Sequence, residues 1–207
     1  MSETFAGELG PAMRGPKLGP GRPEARPRRR PVMWVSLGAA LVVAALFAVV
    51  VSARPSSQVL GSSPLLGEDA PPISGPGLGG GHYSLAQFRG RWVLVNFMAS
   101  WCAACRAEMP QLLDFARQHS RDHDAVVLAV AYDPGNVAQL HRYLVAEGAS
   151  WVSVDDPSAV VSYGVTGLPS SFLVTPVGTV VAYIEGGVRA AELDNLMAEA
   201  AARGLAS

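Results

Sequence analysis

NFMASWCAACRAEMP, residues 96–110, carries both cysteines of a 207-residue chain, three positions apart at Cys102 and Cys105. The flanking residues set the pair in context. Upstream, RWVLVNFM (residues 91–98) is an apolar, β-branched run of the kind that forms a strand buried on both faces. Downstream, Met109, Leu112, Leu113 and Ala116 recur at i, i+3, i+4 and i+7, one face of a helix ending near Ser120. The order is strand, turn, cysteine, helix, which predicts Cys102 at the helix's first turn. Unpaired backbone N–H groups and the positive end of the helix dipole stabilise a thiolate there, and the thiolate is the nucleophile of disulfide exchange. Cys105, one turn on, is placed to close a disulfide with Cys102 or to resolve a mixed disulfide formed at it.

Other uses of two cysteines compete with exchange. A structural disulfide would close a four-residue loop and so remove little unfolded-state entropy. Zinc needs four ligands, and haem attachment needs a histidine directly after the second cysteine, where Arg106 stands. Two free buried thiols would have no reason for the spacing. The spacing and its strand–helix setting favour redox exchange.

The rest of the C-terminal part alternates strands and helices. AVVLAVAYD (residues 125–133) is predicted as a second buried strand, and residues 135–148 as a helix stopped by Gly148. SFLVT and TVVAYIE (residues 171–175 and 179–185) read as a hairpin turning at residues 176–178, and Leu193, Leu196, Met197 and Ala200 mark a last amphipathic helix. The pattern predicts an α/β three-layer sandwich, a central mixed sheet with helices on both faces.

Composition divides the chain more sharply than its net charge of −1 suggests. Residues 1–31 hold seven basic groups against three acids, a net of +4, whereas from Arg54 onward nine arginines face fourteen acids, a net of −5. The basic patch is thus a flank, and no nucleic-acid face is expected. Residues 32–53 contain no charge; at about 1.5 Å per residue they would span roughly 33 Å, enough for a bilayer core of about 30 Å. Arg28, Arg29 and Arg30 on one side against Arg54 alone on the other predict a single-pass anchor with its N-terminus in the cytoplasm and everything after it outside. A signal peptide cleaved after Ala53 is the alternative, disfavoured because its apolar region would be overlong. The expected organisation is a disordered basic tail (1–31), an anchor (32–53), a Gly/Pro/Ser-rich linker (54–81), part of which packs on the domain near residues 70–73, and a redox domain (82–207).

VLVNFMASWCAACRAEMP resembles the active-site segment of the TlpA/ResA/CcmG group of membrane-anchored thioredoxin-like proteins, and YGVTGLPSSFLVTPVGTVV (residues 163–181) resembles their second motif. The resemblance spans about residues 82–203. It implies a thioredoxin-like fold and thiol–disulfide oxidoreductase activity outside the cytoplasmic membrane, usually disulfide reduction and often in cytochrome c maturation. Cys102 would be the attacking thiol and Cys105 the resolving one. Glu108 matches an acid that influences thiol ionisation, though a carboxylate early in a helix needs no such role. Trp101 matches a tryptophan beside the active site, with a cap on the core as its alternative. Pro169 matches a cis-proline facing the cysteines, which would leave the Leu168 backbone to pair with a substrate segment. Asn96 stands where thioredoxin itself has a buried, proton-moving aspartate. The redox group would be the Cys102–Cys105 pair with no further cofactor; the partners would be protein substrates and a membrane thiol electron carrier.

The Ala103-Ala104 dipeptide departs from the group, which mostly has proline before the second cysteine, and this leaves the direction of electron flow open between reductase and disulfide-forming oxidant. A copper- or metal-handling module is the rival from another class. His119 and His123 lie four apart but read as a solvated helix end without a third ligand. Asp155-Asp156-Pro157 reads as a turn and helix cap. A peroxiredoxin-type threonine is missing, since Ala99 occupies its spacing from Cys102.

Overall fold

The computed structural model describes residue 42, residues 59–132 and residues 134–205. The chain divides after Arg54, and the fold below is that of the part that follows. Apart from Val42, the apolar segment 32–53 lies outside the described residues, as does the basic tail. Among the described residues no helix is long and apolar enough to cross a membrane.

In chain order the elements are β1 (Val59–Leu60), β2 (Ser74–Pro76), β3 (His82–Ser84), β4 (Trp92–Met98), α1 (Ala103–His119), β5 (Ala125–Ala131), α2 (Val137–Ala146), β6 (Val152–Val154), α3 (Pro157–Ser162), β7 (Ser170–Val174), β8 (Val180–Glu185) and α4 (Ala190–Ala202). One sheet runs β1-β8-β7-β4-β5-β6. β4, β5 and β6 are parallel, while β7 pairs antiparallel with β4 and β8 with β7. This is the expected mixed sheet, and its central strand is buried along all of its length.

Alternation along β4 sorts the core into two faces. Val93, Val95 and Phe97 point to the side closed by α3 residues Ala159 and by Tyr163 and Val165. Leu94 points to the opposite side, against Leu112 and Phe115 of α1 and Leu193 and Met197 of α4. Met98 lies on that same side, with Met109 of α1 and Leu140 and Leu144 of α2. Helices therefore cover both faces of the sheet. Asn96 shares the face of Leu94 and Met98, so a fully buried amide looks directly at α1.

The N-terminal stretch differs from the expected linker. β1 pairs with β8, the Gly67 and Ala70 N–H groups donate to Val180 and Gly178 carbonyls, and Ile73 is buried. The β2–β3 hairpin covers the other sheet edge, where Leu78 N–H donates to Ser153 and Asp155 N–H to Pro76. The domain therefore begins well before His82. The physical reason is that both outer strands carry unpaired ladder groups, and this stretch satisfies them mostly through its backbone. Asp156 caps α3 as the sequence implied, accepting from the Ser158 and Ala159 N–H groups, and it also accepts from Ser74 N–H, which fastens the hairpin to the cap.

Candidate active site

Cys102 is the N-cap of α1, and its Sγ accepts a hydrogen bond of 3.0 Å from the Cys105 N–H. The two cysteines form a disulfide with Cα atoms 5.3 Å apart. Their exposures differ: Cys102 is 6% accessible and Cys105 0%. Cys102 lines an open groove of about 350 Å³ together with Trp101, Ala103, Ala104, Tyr132 and the 166–168 loop. That lining is largely apolar and carries no charged side chain. Trp101 is 57% exposed on its rim, so it is not a cap on the core. Leu168 is half-buried at the groove and Pro169 is buried behind it; the bond between them is cis, as the resemblance implied.

Beneath the pair lies a buried polar cluster. Glu108, one helical turn beyond Cys105, is 3% exposed. Its Oε1 accepts from Asn96 Nδ2 at 3.0 Å and its Oε2 from the Val188 N–H at 3.1 Å. Burial pushes the carboxyl up to about 7 from 4.5, opposed by those two hydrogen bonds. The Asn96 Nδ2 also donates to Ser171 Oγ at 2.9 Å. The β4–β7 register places Ser171 directly opposite Asn96, so the two side chains meet on one face. Asn96 Oδ1 is buried without a protein partner.

The other polar candidates separate from this centre. His119 bridges Asp124 and Asp194 through its two ring nitrogens at 2.8 and 2.9 Å, an ion-pair role at the far end of α1. Among the described residues no group of His, Cys, Asp and Glu is arranged to hold a metal. Sequence reasoning named Cys102, Cys105, Glu108, Trp101, Leu168 and Pro169, which the fold gathers at one end of the sheet. It did not find Ser171, Val188 or Tyr132. Ser171 enters only through the pairing of β7 with β4, which no local pattern specifies.

The chain matches the AhpC/TSA family over residues 66–183, more than half its length. It belongs to that family. Among curated relatives it is 29% identical to "Thiol-disulfide oxidoreductase ResA" of Bacillus subtilis over 122 residues, covering 58% of this chain and 67% of that one. It is 33% identical to "Thiol:disulfide interchange protein DsbE" of Allochromatium vinosum over 150 residues, 66% of this chain and 77% of that one. Among solved structures it resembles a putative DsbE from Chlorobium tepidum at 29% identity with a TM-score of 0.57, covering 66% of this chain and 96% of the other. The fold is thioredoxin-like, and this AhpC/TSA-family domain is a thiol–disulfide oxidoreductase of the ResA/DsbE type.

Proposed function

We propose that the Cys102/Cys105 pair reduces disulfides in exported proteins, with Cys102 attacking and Cys105 resolving. The observation that carries this reading is the inequality of the two sulfurs: Cys102 reaches the groove, and Cys105 is sealed behind it above Glu108. In the dithiol form, the helix N-terminus and the Cys105 N–H favour a Cys102 thiolate. That thiolate attacks one sulfur of a substrate disulfide; the S–S bond breaks, a mixed disulfide forms, and the other substrate sulfur leaves as a thiolate. Cys105 then loses its proton to the Glu108 carboxylate and attacks Cys102 Sγ. The mixed disulfide breaks, and the second substrate sulfur leaves. Two electrons have passed to the substrate, the protein holds the Cys102–Cys105 disulfide, and the two substrate thiolates take up protons. A thiol electron carrier in the membrane restores the dithiol by the reverse sequence, so no cofactor beyond the cysteine pair is required. Trp101 and Leu168, on the groove, are the proposed substrate contacts, with Pro169 fixing the loop behind them.

The apolar segment 32–53 with its arginine-rich flank supports a single-pass anchor in a bacterial cytoplasmic membrane, N-terminus inside and redox domain outside. Apocytochrome c, or a partner in its assembly, is the proposed substrate, on the resemblance of residues 93–110 and 163–181 to the motifs of the TlpA/ResA/CcmG group. The reading is tested by capture. Full-length Cys105→Ser should accumulate mixed disulfides with envelope proteins, released by dithiothreitol and absent from Cys102→Ser. Equal capture by both variants, or none by either with metal lost instead, contradicts it.

A further inference from the structure

Glu108 is held through an amide that is itself held by a hydroxyl. Asn96 sits at the middle of β4, wholly buried, and Ser171 beside it on β7 is equally inaccessible. A primary amide can present either its NH₂ or its oxygen to a neighbour by a half-turn about its last side-chain bond. In the observed arrangement both amide hydrogens are used, one on Glu108 Oε1 and one on Ser171 Oγ, while Oδ1 has no protein partner. The turned arrangement would put Oδ1 where it accepts from a protonated carboxyl. The two orientations thus favour opposite protonation states of Glu108, since an N–H donor stabilises the carboxylate and an oxygen acceptor stabilises the acid.

We propose that Ser171 is a positioning residue for Glu108: its hydroxyl is hydrogen-bonded to the Asn96 amide, accepting the second amide hydrogen in the observed arrangement, and so holds the amide against the carboxyl with its other hydrogen on Oε1. Few other groups reach Glu108. The Val188 N–H approaches from the β8–α4 connection, Cys105 lies one turn back on its own helix, and Tyr143 of α2 feels its charge. The hydrogen bonds that shift its proton affinity come from the Asn96 side chain and the Val188 N–H. The amide's orientation is therefore the main adjustable contribution to its proton affinity, set against the fixed effect of burial.

This inference deepens the proposed proton exchange between Glu108 and the thiols, but its test reads the carboxyl itself. In the full-length oxidised protein labelled with ¹³C at glutamate side-chain carboxyls, the Glu108 signal is assigned by its loss in Glu108→Gln and followed against pH. Ser171→Ala removes the acceptor and is expected to raise the Glu108 midpoint by about half to one pH unit, the equivalent of one weakened hydrogen bond. Ser171→Thr, which keeps a hydroxyl, is expected to hold the original midpoint. An unmoved midpoint in folded Ser171→Ala, or an equal rise in Ser171→Thr, overturns the positioning role. The pH dependence of disulfide exchange is measured separately. If Glu108→Gln leaves it unchanged, the proton-exchange reading fails while the carboxyl titration still decides the role of Ser171.

Discussion

At the scale of single residues, Glu108 links chemistry to stability. Its carboxyl titrates near 7 in the folded chain against 4.5 ordinarily, so between those values the folded state holds a proton that the unfolded state has released. The sign follows: stability from this group is fully present below about pH 4.5 and is lost as pH rises through about 7. The difference amounts at most to something on the order of 3 kcal/mol. Glu108→Gln should flatten this part of the profile, and urea unfolding of both proteins at pH 5 and pH 8 checks it. A wild type whose stability relative to the variant does not fall across that window contradicts the buried-acid assignment. The cysteines, Glu108 and Asn96 were legible in the sequence because they share one strand–turn–helix segment. Ser171 was not, because a serine in SSF has no feature marking it as the neighbour of an amide seventy-five positions earlier.

At the scale of elements, capping and bridging side chains fix how helices meet the sheet. Burial pushes the Asp156 carboxyl up, but the Ser158 hydroxyl and the N–H groups of Ser74, Ala159 and Ser158 outweigh it and hold the group below the ordinary aspartate value. Asp156→Ala removes the α3 cap and the Ser74 tie together and should cost about 1–3 kcal/mol. Chemical denaturation checks it, and a loss indistinguishable from zero would mean that the cap is satisfied by water. His119 shows the opposite sign. Burial lowers its pKa, yet hydrogen bonds and charge from Asp194 and Asp124 together raise it, so its contribution is present below the ordinary histidine value and fades as pH rises through the folded one. His119→Gln should therefore lose more stability at pH 6 than at pH 8.5, by thermal unfolding at both values. The sequence marked α1, α2, α4 and the four longer strands through periodicity and β-branched runs. It passed over β6 and the β2–β3 hairpin, three-residue strands too short to carry a period.

At the scale of the whole molecule, the sheet is finished by a stretch whose composition looked like linker. Residues 59–81 are rich in Gly, Pro and Ser, yet their backbone covers both outer strands, and Ile73 fills the core beneath α3. Backbone pairing leaves little trace in side-chain pattern, which is why the boundary was misplaced while the sandwich was not. A chain beginning at His82 should fail to unfold cooperatively, whereas one beginning at Pro55 should melt in a single transition. Identical melting of the two would show that the edge stretch is dispensable. Ile73→Ala in the longer chain should cost about 2–4 kcal/mol.

In the proposed reaction the Cys102/Cys105 pair gives electrons to substrate disulfides. The most direct measurement is the reduction potential of the full-length protein, equilibrated against glutathione buffers and read by the mass added on thiol alkylation. A potential at or below about −250 mV, toward thioredoxin's, is expected of a donor. A potential above about −150 mV, toward that of DsbA, would mean the pair takes electrons instead and would contradict the reductase assignment.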